Sequence, residues 1–113
     1  MMSNRRVYHI TSRSSKESIS QNGVDPSYAR GGYKSVWVCG RNSIEWAALH
    51  VAYTRMVEVD SLVMARLLVP YQWLIRTGRP HVWRLPERFL IPPKCITSWE
   101  DVDTWVCRSF EMK

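Results

Sequence analysis

The sequence predicts a single α+β domain, and three observations favour that class. Segments rich in β-branched and aromatic residues outnumber segments with helical spacing. The two predicted helices both fall in the N-terminal half, so strand and helix do not alternate throughout as they would in a parallel α/β fold. A length of 113 residues with 45% hydrophobic residues suits one core, and we treat residues 1–113 as one domain.

The first third of the chain predicts a strand, a short helix and a loop. Residues 6–10 are β-branched and aromatic enough for a strand. The serines that follow can cap a helix, which is predicted over residues 15–21, and Gly23 provides a left-handed stop. Residues 28–33 combine glycine with aromatic and arginine side chains. They predict a loop that contacts a ligand.

A second strand and a longer helix follow. Residues 35–39 place valines on either side of Trp37, a pattern that favours a strand. Asn42 and Glu45 have the spacing of a capping box, so a helix is predicted over residues 43–56. Its small alanines would let it lie close to a sheet.

The C-terminal half predicts further strands. Residues 61–69 form a nearly continuous apolar run, typical of a central strand, with Arg66 as the exception. A helical turn is predicted over residues 71–75 and a loop over residues 76–80. Three further strands are predicted over residues 81–85, 95–99 and 104–110.

Cysteine and histidine chemistry gives little support to a metal centre. Cys39, Cys95 and Cys107 are an odd number without Cys-x-x-Cys spacing, so buried, reduced thiols are expected. The three histidines are widely spaced, and none stands beside a cysteine in the sequence. We therefore predict neither a metal site nor a cysteine nucleophile.

The charge of the chain favours an anionic partner. Of its 16 basic residues twelve are arginine and four are lysine, and the net charge is +6. Arginine makes planar, bidentate contacts with phosphate or carboxylate. Nucleic acid, a dinucleotide or an acidic protein surface would all fit, and so would a solvated basic face. No apolar run is long enough for a membrane helix and no signal peptide is evident, so a soluble, cytoplasmic protein is expected.

The order of these elements resembles the ADP-ribosyltransferase superfamily. Tyr8-His9-Ile10-Thr11 is similar to its first-strand motif, and residues 31–38 resemble the stretch through its second motif. Small rifampin ADP-ribosyltransferases look closest in layout. RNA 2′-phosphotransferases share the fold, and residues 91–94 resemble a segment near their end. The resemblance implies an ADP-ribosyltransferase-like split β-sheet, with NAD as a substrate.

The resemblance also implies roles for individual residues. His9 would bond the nicotinamide ribose, Thr11 would add polar contacts, Trp37 would stack on the nicotinamide, and Ser43 would begin the helix after the second motif. Departure of nicotinamide leaves an oxocarbenium-like ribose, so such a site also needs cations on the pyrophosphate. Candidates for these contacts, and for others from the glycine loop, are Arg13, Arg30, Tyr33 and Arg41.

The third family motif is most often a glutamate on the strand after the Gly78 loop. This chain has His81 there, and Glu87 comes only after Pro86. His81 is therefore the third catalytic candidate, with His9 and Trp37. Phosphotransferases and rifampin-modifying enzymes of this superfamily work without the glutamate.

Three functions remain open. The first is a NAD-dependent enzyme that transfers ADP-ribose to a protein, a nucleic acid or a small molecule. The second is an inactive, basic module that binds or inhibits nucleic acid or a partner protein. The third is an RNA 2′-phosphotransferase-like activity, with Arg30, Arg79 and Arg84 around the phosphate. His9, Thr11 and Trp37 also have plain structural explanations, as a satisfied strand residue, a helix cap and core packing.

Overall fold

A six-stranded antiparallel sheet forms the centre of the computed structural model, which describes residues 3–28, 34–103 and 105. The order across the sheet is β4-β5-β2-β1-β3-β6. Two helices accompany it, which confirms the α+β class. The strands and helices in chain order are β1 (Asn4–Ser12), α1 (Lys16–Asn22), β2 (Trp37–Cys39), α2 (Ile44–Arg55), β3 (Leu62–Pro70), β4 (Ile75–Arg76), β5 (Val82–Arg84) and β6 (Ile96–Asp101).

The two longest strands, β1 and β3, pair along their whole length. Their register runs from Asn4 opposite Pro70 to Ser12 opposite Leu62. The apolar run therefore forms an interior strand, as predicted. Its one charged residue, Arg66, donates from Nη2 to Glu100 Oε2 on β6 at 2.6 Å, and so the charge is paired at the neighbouring strand.

Side chains that alternate along β1 divide the core between two faces of the sheet. Tyr8 and Ile10 pack with Ile44 and Ala48 of helix α2, and we call this side the α2 face. Val7 packs on the opposite side with Val38, Leu67 and Trp83, against which Ile19 of helix α1 is placed. We call this side the α1 face.

Helix α1 ends at a glycine that the structure requires. Gly23 has φ 88°, and its N–H donates to Ile19 O at 2.8 Å. A Cβ at this position would lie 2.2 Å from Ile91 O, because Val24 and Ile91 form an isolated bridge next to it. The predicted helix stop is confirmed.

Two short strands differ from their predictions. Strand β2 begins at Trp37, two residues later than expected, and the residues predicted as a helical turn form a 3-10 turn (Tyr71–Trp73) followed by β4. Strand β4 owes its conformation to pairing with β5, which a local pattern cannot reveal. Of the strand predicted over residues 104–110 only Trp105 is described, and it is helical. Within the described ranges, every helix is too short or too polar to cross a bilayer.

Candidate functional site

Strands β1 and β2 pair at only one position, Tyr8 opposite Cys39. One residue further along β1, the imidazole of His9 forms a hydrogen bond of 2.9 Å between Nδ1 and the carbonyl oxygen of Trp37. A side chain thus bridges the two strands where their backbone pairing stops. We call this place the strand split.

The hydrogen bond at the strand split fixes the protonation of His9. A carbonyl oxygen only accepts, so Nδ1 must carry the proton. Burial lowers the pKa of His9 below its usual 6.5; the bond to Trp37 opposes this shift, and the positive charge of Arg55 adds to it. The ring is therefore neutral near pH 7, and Nε2 carries a lone pair that can accept a hydrogen bond.

The indole of Trp37 lies on the other side of the sheet from His9. Cys39, two residues along β2, belongs to the α2 face, and Trp37 shares that side by strand alternation. Its side chain is 43% exposed. His9 lies between Tyr8 and Ile10 and projects to the α1 face. The structure therefore brings His9 to the backbone of Trp37 but not to its ring.

Thr11 and Arg13 follow His9 in different environments. Thr11 is buried, with 3% exposed, and shares the face of His9 on β1. Arg13 donates from Nη1 to Asp101 Oδ1 at 2.8 Å and from Nη2 to Asp60 O at 3.0 Å. These contacts tie the end of β1 to β6 and to the turn before β3, so both terminal nitrogens of Arg13 already have protein acceptors.

Ser43 and His81 both lie at the opposite end of β2. Ser43 Oγ donates to Pro80 O at 3.2 Å, and Gly40 N donates to His81 O at 2.8 Å. His81 is exposed, with φ 60°, at the start of β5. These residues join the first turn of α2 to the loop before β5. The three-residue strand β2 separates them from the strand split.

Two predicted contacts, Arg30 and Tyr33, lie outside the described residues. Near them in the chain, Ser35 is buried, and its hydroxyl finds no hydrogen-bond partner among the described residues. It stands two residues before Trp37. A buried hydroxyl without a partner is costly, so Ser35 is a site candidate that the sequence pattern did not single out.

A concave feature of about 390 Å³ lies where β4 ends and β5 begins. The Cζ atom of Arg5 lies 4.6 Å from the ring centroid of Trp83 and 5.8 Å from that of Tyr71. We call this feature the arginine pocket. The lining residues that matter for its chemistry are Arg5, Tyr71, Arg76, Arg79, His81 and Trp83.

The arginine pocket continues toward helix α2 through one further contact. Arg79 Cζ lies 3.9 Å from the ring centroid of Trp46, and Trp46 stacks on His50 with a centroid distance of 5.1 Å. Sequence reasoning named Arg79 only as a possible phosphate contact and missed Arg5. The stretch of residues 61–86, with four arginines and no acidic residue, is a signal for Arg79 but not for Arg5, which lies outside it.

The two cysteines among the described residues have the buried, free thiols that the sequence predicts. Cys39 and Cys95 are free and buried. Burial raises the pKa of Cys39 to about 12 and also raises the pKa of Cys95, so neither supplies a thiolate near neutral pH. Cys107 lies outside the described residues. Across the described part of the chain, no three His, Cys, Asp or Glu side chains gather as metal ligands would.

Comparison with known proteins adds no family to this geometry. Neither a family model, nor a curated protein, nor a solved structure matches the chain.

Proposed function

We propose that this protein binds NAD at the strand split and transfers ADP-ribose to an acceptor. One observation carries the proposal: β5, β2 and β1 are neighbours in the sheet. These are the strands on which the three motifs of the ADP-ribosyltransferase resemblance fall. Neighbouring strands can present groups to one extended ligand, whereas motifs on distant strands could not.

His9 is the residue that we assign to the ribose. Its Nδ1 proton is held by Trp37 O, so the free electron pair is on Nε2. A ribose hydroxyl can donate to that atom without any change of tautomer. A hydrogen-bonding group fixed in advance stabilises a transition state without a reorganisation cost. Trp37 is then a positioning residue, which acts through its carbonyl oxygen.

The reaction itself breaks one bond and forms another. The bond between ribose C1′ and the nicotinamide nitrogen breaks, and its electron pair leaves with neutral nicotinamide. The acceptor then forms a bond to C1′ and loses a proton. Solvent takes that proton, because His81, where the resemblance implies a glutamate, lies at the opposite end of β2 from the strand split.

Release of nicotinamide from labelled NAD tests this proposal. The informative variant is His9→Asn, because the asparagine amide can replace the Nδ1 donor to Trp37 O but offers nothing in place of Nε2. We expect it to keep the fold and to lose activity by at least about tenfold, the effect of about one hydrogen bond.

His50→Ala is the matched control, since His50 is an exposed histidine on α2. It should release nicotinamide at the wild-type rate. Full activity in His9→Asn would contradict the assignment of His9. Failure of the wild-type protein to release nicotinamide with protein, nucleic-acid or small-molecule acceptors would contradict the transferase proposal itself.

A second candidate function, binding without turnover, is favoured by the arginine pocket. The cations and aromatic rings of the arginine pocket lie outside the strand split, and they can bind a ligand without any reaction. Binding of an anionic ligand with no nicotinamide release under any condition would support this candidate over the transferase.

A further inference from the structure

We propose that the arginine pocket binds single-stranded nucleic acid, with its arginines on the phosphates and its exposed aromatic surface against a base. This site lies at the opposite end of β2 from the strand split. The proposal goes beyond the NAD proposal, because binding at the pocket requires no transfer reaction.

Uncompensated positive charge is the first support. Arg5, Arg76 and Arg79 line one pocket, and none of them forms an ion pair with a carboxylate of the described residues. The stretch from residue 61 to residue 86 contains no Asp or Glu at all. Like charges held together repel one another, so an anion in the pocket would lower the free energy of this arrangement.

The position of two guanidinium groups over aromatic rings is the second support. Arg5 lies over Trp83, at 4.6 Å, and Arg79 lies over Trp46, at 3.9 Å. A guanidinium that lies over an aromatic ring keeps its N–H groups at its edge. Phosphate oxygens can accept hydrogen bonds from such an edge, often in pairs.

Aromatic surface distinguishes nucleic acid from an acidic polypeptide. Tyr71 is 43% exposed at the pocket, with its ring beside Arg5. Single-stranded nucleic acid is bound by cations that follow its backbone and by rings on which bases stack. A carboxylate side chain would use only the cations. The pocket volume of about 390 Å³ is in the size range of small-ligand sites, which suits one unstacked base with its phosphate better than a duplex.

Fluorescence anisotropy with a labelled short oligothymidylate tests the proposal, over a series of salt concentrations. We expect the wild-type protein to bind with a salt-dependent affinity. Arg5→Gln and Arg79→Gln should each weaken binding by about tenfold, and each should reduce the slope of log affinity against log salt by about 0.7.

Arg6→Gln provides the matched control. Arg6 is exposed and follows Arg5 on β1, so its side chain lies on the other face of the sheet. The substitution Arg6→Gln therefore removes one positive charge, as Arg5→Gln does, but at a position outside the pocket. It should bind the oligonucleotide nearly as well as wild type. Equal losses in Arg6→Gln and Arg5→Gln would overturn the site, because they would show only attraction to overall positive charge.

Two further arms keep the result interpretable. Arg76→Gln changes an exposed side chain of the pocket, so it tests the site if Arg5→Gln lowers the melting temperature. Polyglutamate that competes as well as the oligonucleotide would overturn the assignment to nucleic acid. Nicotinamide release is measured on the same variants, so loss of oligonucleotide binding with unchanged release separates this proposal from the transferase proposal.

Discussion

His9 is half-buried and neutral at the strand split, and this affects stability as the pH changes. Its pKa is lowered in the folded protein, whereas in the unfolded chain it is near 6.5. Below pH 6.5 the imidazole of His9 binds a proton in the unfolded state, whereas in the folded state it binds one only at a lower pH. The contribution of neutral His9 is therefore fully present above pH 6.5 and is lost as the pH falls toward the folded pKa.

Urea denaturation at several pH values checks this consequence. The free energy of unfolding should fall below pH 6.5, with a contribution from His9 of up to about 1.4 kcal/mol per pH unit. His9→Asn has no such group, so the difference between its curve and that of wild type isolates His9 from the carboxylates. Curves that stay parallel from about pH 8 to about pH 5 would contradict the lowered pKa.

The sequence identified His9 correctly as an unusual polar residue in a strand, but it could not identify the partner. That partner is the carbonyl of Trp37, 28 positions away. Every residue has a carbonyl, so no pattern of residue types reveals such a bond. The same limit applies to the indole of Trp37. The side of the sheet on which it lies follows from the alternation of side chains along β2 and not from its aromatic character.

At the scale of elements, the end of helix α1 provides a clear test of backbone strain. Gly23→Ala places a Cβ 2.2 Å from Ile91 O, at φ 88°. We expect it to lower the free energy of unfolding by at least about 1–3 kcal/mol, because an L side chain is strained at this φ and the clash is with backbone. Thermal or urea unfolding measures the change.

Gly78→Ala is the control for that substitution. A Cβ at Gly78 would have no heavy atom within 4 Å, and its φ is not positive. Its effect on the free energy of unfolding should stay within about 0.5 kcal/mol. Equal stability of the two variants would show that the bridge between Val24 and Ile91 yields easily and does not constrain the turn.

Elements with local signals were predicted closely, whereas those that depend on pairing were not. Helix α2 spans Ile44–Arg55 where residues 43–56 were predicted, because its composition is a local signal. The predicted capping box of Asn42 and Glu45 is wrong, since Asn42 lies in a 3-10 turn and Ser43 is the N-cap residue, without a side-chain cap hydrogen bond. Strand β4 was missed because its two residues are extended only through pairing with β5. Prediction from sequence therefore succeeds where a few consecutive residues determine the conformation.

At the scale of the whole molecule, the sheet order creates both candidate sites. Strand β2 lies between β1 and β5, with the strand split near one of its ends and the arginine pocket near the other. The charge of the chain predicted an anionic partner but not its position. Arg5 and Arg79 come from segments more than sixty residues apart in the sequence. Only the sheet brings them together, so composition could not locate the pocket.

The most direct test of the central claim is NMR of the imidazole nitrogens during titration with NAD, with His9 assigned by comparison with His9→Asn. We expect His9 to be protonated on Nδ1 and the resonance of its bare Nε2 to move as NAD binds, while the resonances of His50 stay in place. Protonation of His9 on Nε2, or NAD binding that leaves both of its nitrogens unchanged, would contradict the assignment of His9 to the ribose.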